Sequence, residues 1–379
     1  MDTSNKNKIK VINIIWAFGT GGIAQLFKTY ATLGDFDTDL SVTSVCIDLI
    51  NCDYDRRPLR QLGITTIPIN SRHDFSWVKR LGIIADKLKP DVVFCHGFNG
   101  PIIALIASLF YSSLRIPMIC TYHGLYNPPT PQRKPLARLI NFIQAWTYKR
   151  HASKVILVSK YSGRFLIDHG VPADKLFVIY NGIPENVSSS ENLHLPKDIV
   201  SIGVVGRLDS IKGINYLIDA LPIIKAKYGN GFHLYIVGDG PEEENLRNQV
   251  ISLNLDSFVS FVGYQSNIQT WLNSWDIFCL PSLQENHSIA LLEAMRAGKA
   301  IVCTSVGGNP ETLEDGIEGI IVEPMNSKDL ADGLLKLMAD SRLRNLFGNN
   351  AYKHFKTAFT VQTMKKKLCD TIKASFIIQ

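Results

Sequence analysis

Val200-Ser-Ile-Gly-Val-Val-Gly-Arg-Leu-Asp-Ser-Ile-Lys-Gly-Ile-Asn-Tyr-Leu-Ile-Asp-Ala220 changes character twice. It begins as a short β-branched run (199–205), breaks at Gly206, and resumes with helical character from Ile214. A strand, a glycine-bearing turn and a helix in that order form the repeating unit of parallel sheets covered by helices on both faces. The alternation extends outward in both directions. Towards the C-terminus, apolar runs recur at 232–237, 258–262, 276–280, 299–303 and 319–323. Towards the N-terminus they lie at 11–18, 41–47, 91–95, 117–121, 154–158 and 176–180. A chain of 379 residues exceeds one ordinary core. The expected fold class is therefore α/β, with two doubly wound parallel-sheet domains. Ligands of such sheets bind beyond the carboxyl ends of the strands, so the two domains are expected to face a central cleft.

Composition narrows the class. Hydrophobic residues make up 46% and charged residues 20%, as in a folded globular protein. The seven cysteines are scattered without C-x-x-C spacing, and several sit inside apolar runs, a usage that fits a reducing cytoplasm. Lys8, Lys10 and the run 11–18 imitate a signal peptide. The run is broken by Asn13, ends in Gly19-Thr-Gly-Gly22 and lacks a cleavage site, so it reads as a buried first strand. The apolar stretch 101–110 is too short to span a bilayer. The net charge is +6, and it is unevenly spread: positions 92–167 hold nine Lys and Arg and no Asp or Glu. A surface made there is positive and suits phosphates, anionic headgroups or polyanions.

Four residues of the second half carry most of the chemistry. Arg207 and Lys212 follow a strand end at a spacing that lets a guanidinium fork and a compact ammonium hold a diphosphate from two sides. They would also neutralise charge on a diphosphate leaving group. Glu285 precedes a helix and Glu293 lies within it, so both can meet sugar hydroxyls from one side. Glu293 sits among Ile289-Ala-Leu-Leu and Ala-Met, where a carboxylate needs partners. In the first half, Gly19-Thr-Gly21-Gly22-Ile-Ala24 fits a dinucleotide fingerprint, with Asp48 following the next run. That alternative, a nicotinamide or flavin enzyme, leaves the second half unexplained.

Gly206-Arg-Leu-x-x-x-Lys-Gly213, Val237-Gly-Asp-Gly-Pro-Glu242, Phe261-Val-Gly263, Leu280-Pro-Ser282, Glu285-x7-Glu293-Ala-Met and Gly307-Gly-Asn-Pro-Glu311 occur in that order. They are preceded by Gly21-Gly22, Thr121-Tyr-His-Gly124, Leu157-Val-Ser159 and Val178-Ile-Tyr-Asn-Gly182. The ordered set resembles retaining glycosyltransferase family 4 of the bacterial surface-polysaccharide type, over nearly the whole chain. The resemblance implies a GT-B fold: a Rossmann-like acceptor domain over 1–184, a linker over 185–198, a Rossmann-like donor domain over 199–360, and a last helix over 361–379 crossing back to the first domain. It implies that Arg207 and Lys212 bind the diphosphate, that Glu293 meets the ribose, and that Glu285 meets the donor sugar beside the backbone of His287, Ser288 and Ile289. Gly21 and Gly22 let a loop approach the phosphates. Gly263 and Tyr264 lie near the base, and His123 points at the reacting sugar, leaving His123, Arg207, Lys212 and Glu285 as the catalytic set. It further implies no cofactor and no metal. At Asn286-His287 the chain departs from the Gly-Phe frequent in the family.

The expected partners are a nucleotide-sugar donor and a carbohydrate or lipid-linked oligosaccharide acceptor, with no nucleic acid. The 133–150 segment adds an anionic membrane surface. Read as a helix, it places Leu136, Leu139, Ile140, Ile143, Trp146 and Thr147 on one face, edged by Arg133, Lys134, Arg138, Lys149 and Arg150. The same pattern would serve a helix packed on its own sheet. The membrane reading, with Arg133, Lys134, Arg138 and Trp146 as contacts, puts the protein in the cytoplasm, peripheral on the inner face of the cell membrane. Two alternatives remain open at this point: a nucleotide-sugar epimerase of the same fold, and a non-catalytic polyanion-binding protein using the basic region.

Overall fold

The computed structural model describes residues 8–16, 22–49, 57–71, 73–97, 99–124, 134–186 and 193–376. The chain divides into two compact units, one of 1–181 together with 361–379, the other of 182–360.

The first unit holds a seven-stranded sheet. Its strands are β1 (Ile9–Trp16), β2 (Leu40–Leu49), β3 (Thr65–Ile69), β4 (Val92–His96), β5 (Met118–Tyr122), β6 (Ala152–Leu157) and β7 (Leu176–Val178), in the order β3-β2-β1-β4-β5-β6-β7. All pairings are parallel. β4 and β5 are buried along their whole length, as strands covered on both faces must be, and this is why they read as unbroken apolar runs. The sequence reading missed β3. Pro68 interrupts its apolar run, and a proline cannot donate to a ladder; β3 is an edge strand, where that is tolerated.

The helix Val361–Ala374 completes this unit. Lys373 Nζ pairs with Asp37 Oδ2 (2.7 Å) and Asp39 Oδ2 (2.8 Å). Lys365 Nζ donates to the Thr32 carbonyl (3.1 Å) and hydroxyl (2.8 Å), and Lys154 Nζ donates to the Thr371 carbonyl (3.1 Å). Met364, Leu368, Cys369 and Ile372 fill its buried face.

The second unit holds β8 (Val200–Val205), β9 (Phe232–Val237), β10 (Val259–Gly263), β11 (Ile277–Leu280), β12 (Ala300–Thr304) and β13 (Ile320–Val322), all parallel, in the order β10-β9-β8-β11-β12-β13. Its core runs from Val204 and Ile236 through Leu217 and Ile218 to Leu334 and Leu337. Gly203 is glycine for a packing reason: a Cβ there would collide with the Trp275 indole.

In each sheet the winding direction reverses once, between β1 and β4 and between β8 and β11. A crevice forms at such a reversal, beyond the carboxyl ends of the strands, because the flanking loops turn away in opposite directions. His96 ends β4, the loop carrying Arg207 follows β8, and the loop carrying Glu285 follows β11. The topology thus puts His96 and the expected site residues Arg207 and Glu285 at the reversal points of their own units.

Candidate active site

The second unit's site rests on two loops held together by backbone. Gly206 N donates to the Val237 carbonyl (3.1 Å) and Leu208 N to that of Asp239 (2.7 Å). Gly238 and Gly240 permit this, since a Cβ on either would strike the carbonyl oxygens of Gly206 and Leu208. Leu283 N donates to Ile211 O (2.7 Å), tying the turn after β8 to the loop after β11. Gly213, at φ +63°, lies against the Pro281 carbonyl with no room for a Cβ. Backbone can approach that closely only where no side chain intervenes.

This framework brings Lys212 and Glu285 together. The Lys212 stem passes Gly206, and its Nζ lies 2.6 Å from Glu285 Oε1. The Ser282 hydroxyl donates to the same oxygen (2.8 Å). Ser282 is fully buried, and its carbonyl accepts the Thr304 hydroxyl (2.5 Å). Gly307, at φ +58°, sits so close to the Glu285 carbonyl oxygen that a Cβ would overlap it. The ion pair is 73 residues apart in sequence and only partly exposed, 23% for the lysine and 10% for the glutamate. A charge at that depth needs a partner, and a phosphate oxygen could take the place of the carboxylate beside the ammonium.

Arg207 is not part of that pair. Its Nε and Nη2 both donate to Asp209 Oδ2 (2.8 and 2.6 Å), and its side chain is 67% exposed. The expected second fixed cation is therefore held by a neighbour two residues on and stands largely in solvent. Sequence reasoning gave no role to Asp209, Ser282 or Gly307. Leu-Pro-Ser282 and Gly307-Gly were among the ordered motifs, so a signal existed, but the partners were not legible.

Ser288 caps the helix Ile289–Arg296, its hydroxyl accepting from Leu291 N (3.3 Å). Burial raises the Glu293 pKa, opposed by the Arg296 guanidinium one turn further on. Arg296 is in turn held by Gln269 Oε1 (3.2 and 2.7 Å) and the Pro184 carbonyl (3.0 Å). The carboxylate expected among apolar neighbours thus has a cation close by. The His287 ring is buried, packed at 5.5 Å from that of Phe359, and burial pushes its pKa down to about 3. Gly263 ends β10 at φ +78° and accepts from Gly238 N (2.9 Å), so it shares the Gly238 turn with the Arg207 loop. Tyr264 beside it is 67% exposed.

In the first unit the two histidines at strand ends are uncharged, His96 buried and His123 half-buried. His96 is buried between Tyr30, stacked at 4.4 Å, and Phe94, edge-on at 4.2 Å. Its Nε2 lies 2.6 Å from Asn13 Oδ1, and Asn13 Nδ2 donates to Ser44 Oγ (2.9 Å). Burial, and to a lesser degree the neighbouring His123, hold the His96 pKa well below that of a free imidazole. His123 follows β5, and burial lowers its pKa to about 4. His96 Nδ1, Thr121 Oγ1 and His123 Nε2 are buried without a hydrogen-bond partner among the described residues. Gly21 and Arg133 lie outside the described residues. Gly22 opens the helix Gly22–Ala31 and Lys134 opens the helix Lys134–His151. Arg138 and Trp146 are exposed on the latter. Among the described residues no group of three His, Cys, Asp or Glu is placed to hold a metal ion.

Residues 48–187 match the family described as Glycosyltransferase Family 4, and residues 188–354 match Glycosyl transferases group 1. The chain belongs to glycosyltransferase family 4. An uncharacterised glycosyltransferase of Methanocaldococcus jannaschii is 28% identical over 86% of this chain and 89% of its own length. The amylovoran biosynthesis glycosyltransferase AmsK of Erwinia amylovora is 36% identical over 45% of this chain and 44% of its own. The N,N'-diacetylbacillosaminyl-diphospho-undecaprenol alpha-1,3-N-acetylgalactosaminyltransferase of Campylobacter jejuni is 27% identical over 57% of this chain and 60% of its own. The Anabaena protein HepE, solved in complex with UDP, superposes with a TM-score of 0.79 at 23% identity, covering 97% of this chain and all of that one, which shows the GT-B fold. The enzyme is thus a glycosyltransferase, and neither the epimerase nor the binding-protein alternative is needed.

Proposed function

We propose that this glycosyltransferase is a retaining hexosyltransferase, moving a sugar from a nucleotide diphosphate donor to a lipid-linked carbohydrate acceptor in lipopolysaccharide, capsule or exopolysaccharide synthesis. The observation that carries the reading is the Lys212–Glu285 pair, braced by Ser282 at the carboxyl end of β11. In this reading the donor diphosphate takes over Lys212, and the freed Glu285 accepts hydrogen bonds from sugar hydroxyls. As the bond from the anomeric carbon to the phosphate oxygen breaks, Lys212 and Arg207 neutralise the diphosphate. The acceptor hydroxyl attacks from the same face and gives its proton to the departing phosphate. Glu293 binds the ribose, and His287, Ser288 and Ile289 supply backbone near the sugar. His123, neutral at working pH, offers a hydrogen bond to the reacting sugar, and Gly21 and Gly22 admit the phosphates. The cationic pair does the neutralising work that a metal would otherwise do, so no metal is required.

The lipid-linked acceptor is supported by the kinship with the Campylobacter enzyme, whose name gives a sugar on diphospho-undecaprenol as its acceptor. A surface-polysaccharide product is supported by the kinship with AmsK. The reaction is placed in the cytoplasm. The test is a panel of nucleotide diphosphate sugars, with nucleotide release followed with and without lipid-linked acceptors and with chelator added. Product NMR reads the anomeric configuration. Inversion, or activity abolished by chelator and restored by a divalent ion, would overturn the corresponding part.

A further inference from the structure

The helix Lys134–His151 shows apolar side chains on its outward face as well as its inward one. Its inward face buries Ala137, Ala145 and Tyr148 together with the polar Asn141, Gln144 and Thr147, exposed by only 7%, 3% and 1%, and Gln144 Nε2 donates to the Tyr148 hydroxyl at 2.8 Å. Its outward face carries Leu136, Leu139, Phe142 and Trp146, exposed by 55%, 54%, 56% and 46%. A helix packed on its own sheet buries the apolar stripe and shows the polar one. Here the sequence's stripe of 136, 139, 143 and 146 faces solvent, while Thr147, expected on that stripe, is turned to the core. The adjoining helix Asn99–Phe110 ends in Leu109 and Phe110, exposed by 64% and 71%.

Charge selects the occupant. Arg138, Lys149 and Arg150 are exposed on the same helix, and no acidic residue occurs anywhere from 92 to 167. A second copy of this chain would set these cations against one another across a two-fold axis. An anionic lipid surface instead complements them, and the indole and leucines suit the headgroup boundary. Among the described residues no helix is long and apolar enough to cross a membrane, so contact is peripheral.

We propose that this face docks the enzyme onto an anionic bilayer, the outward stripe of Lys134–His151 lying in the headgroup boundary with its cations against lipid phosphates. In a parallel α/β sheet the helices run back against the strands, so the Lys134 end lies on the edge of the sheet to which His96 and His123 belong. Docking along the stripe holds that edge near the membrane. Its usefulness rests on the lipid-linked acceptor proposed above; the docking itself does not.

Flotation of the full chain tests it, with vesicles of phosphatidylcholine alone or mixed with phosphatidylglycerol, and with donor hydrolysis assayed in the same samples without vesicles. The wild type is expected to float with the mixed vesicles only. L139E/F142E and R138E/R150E should each lower the bound fraction about tenfold or more while leaving donor hydrolysis unchanged. Hydrogen exchange on the wild type gives a variant-free reading: mixed vesicles should protect the 134–151 amides. No flotation of the wild type, equal flotation of wild type and variants, no vesicle-dependent protection, or a vesicle-free dimer dissolved by L139E/F142E would each overturn it. Loss of hydrolysis with wild-type flotation intact would instead count against the catalytic reading.

Discussion

Beyond β8 and β11 the polar side chains are charged and paired, Lys212 with Glu285 and Arg207 with Asp209. At the ends of β4 and β5 they are imidazoles and a hydroxyl, buried or half-buried, uncharged and in part unpartnered. Both sheets reverse their winding beside these strands, at β4 in the first and between β8 and β11 in the second, so topology does not separate them. Depth does. A loop that keeps 23% of a lysine in contact with solvent can hold a cation for exchange with a ligand. A site that seals an imidazole from water suppresses its charge and leaves hydrogen bonding as its only means of recognition. A polyanion suits the first environment, and uncharged hydroxyls suit the second.

The contrast is most exposed at Lys212. Lys212→Ala should lower kcat/KM for the donor by about 10²–10³, the usual effect of removing one preorganised group that stabilises developing charge. Nucleotide release measures this, and an unchanged melting temperature shows that the fold survives. Near-wild-type turnover would break the distinction between the two sheet ends. Next comes Gly307→Ala. Its positive φ and the Glu285 carbonyl leave no place for a methyl, so about 1–3 kcal/mol of stability should be lost and activity should fall with it, read by denaturant melts.

The neutral end makes a pH prediction of its own. The His123 pKa is depressed from 6.5 to about 4 in the folded protein. Between those values the unfolded chain binds the proton and the native one does not. His123 therefore destabilises the fold as pH falls through that window, by about 1.4 kcal/mol per pH unit at most, and has no such effect above about 6.5. Melts from pH 7 to pH 5 should show a shallower decline for His123→Asn than for the wild type; identical slopes would mean that the imidazole is not sealed. The smallest effect is expected at Arg207. Because it stands in solvent beside Asp209, Arg207→Ala should cost about tenfold in kcat/KM, clearly less than Lys212→Ala, and a reversed ranking would reassign the main diphosphate contact.

The two ends also differed in how far they could be read from sequence. Strand and helix periodicity is a local property, so twelve of the apolar runs marked their strands, and β3 escaped only because Pro68 interrupts it at a sheet edge. Lys212 and Glu285 were each visible as residues, but their union spans 73 positions and depends on Gly213 and Gly307 admitting backbone where a side chain would clash. Ser282 looked like the end of a strand and proved to be a brace for the carboxylate. The stripe on Lys134–His151 was legible as a stripe. Which way it faced was not, since that depends on the tertiary packing that buries Ala145 and Tyr148 against the core of the unit.

The helix Val361–Ala374 belongs to the unit formed by 1–181. The chain thus makes most of that unit, builds the whole of the next, and only then supplies the piece bearing Lys365 and Lys373. On the ribosome the second unit has all of its residues before the first has received the helix Val361–Ala374. Asp37, Asp39 and Thr32 therefore wait for their lysines through the synthesis of residues 182–360. A nascent chain halted near 360 would carry an open flank on the older unit, and it is the older unit that a C-terminal truncation would damage.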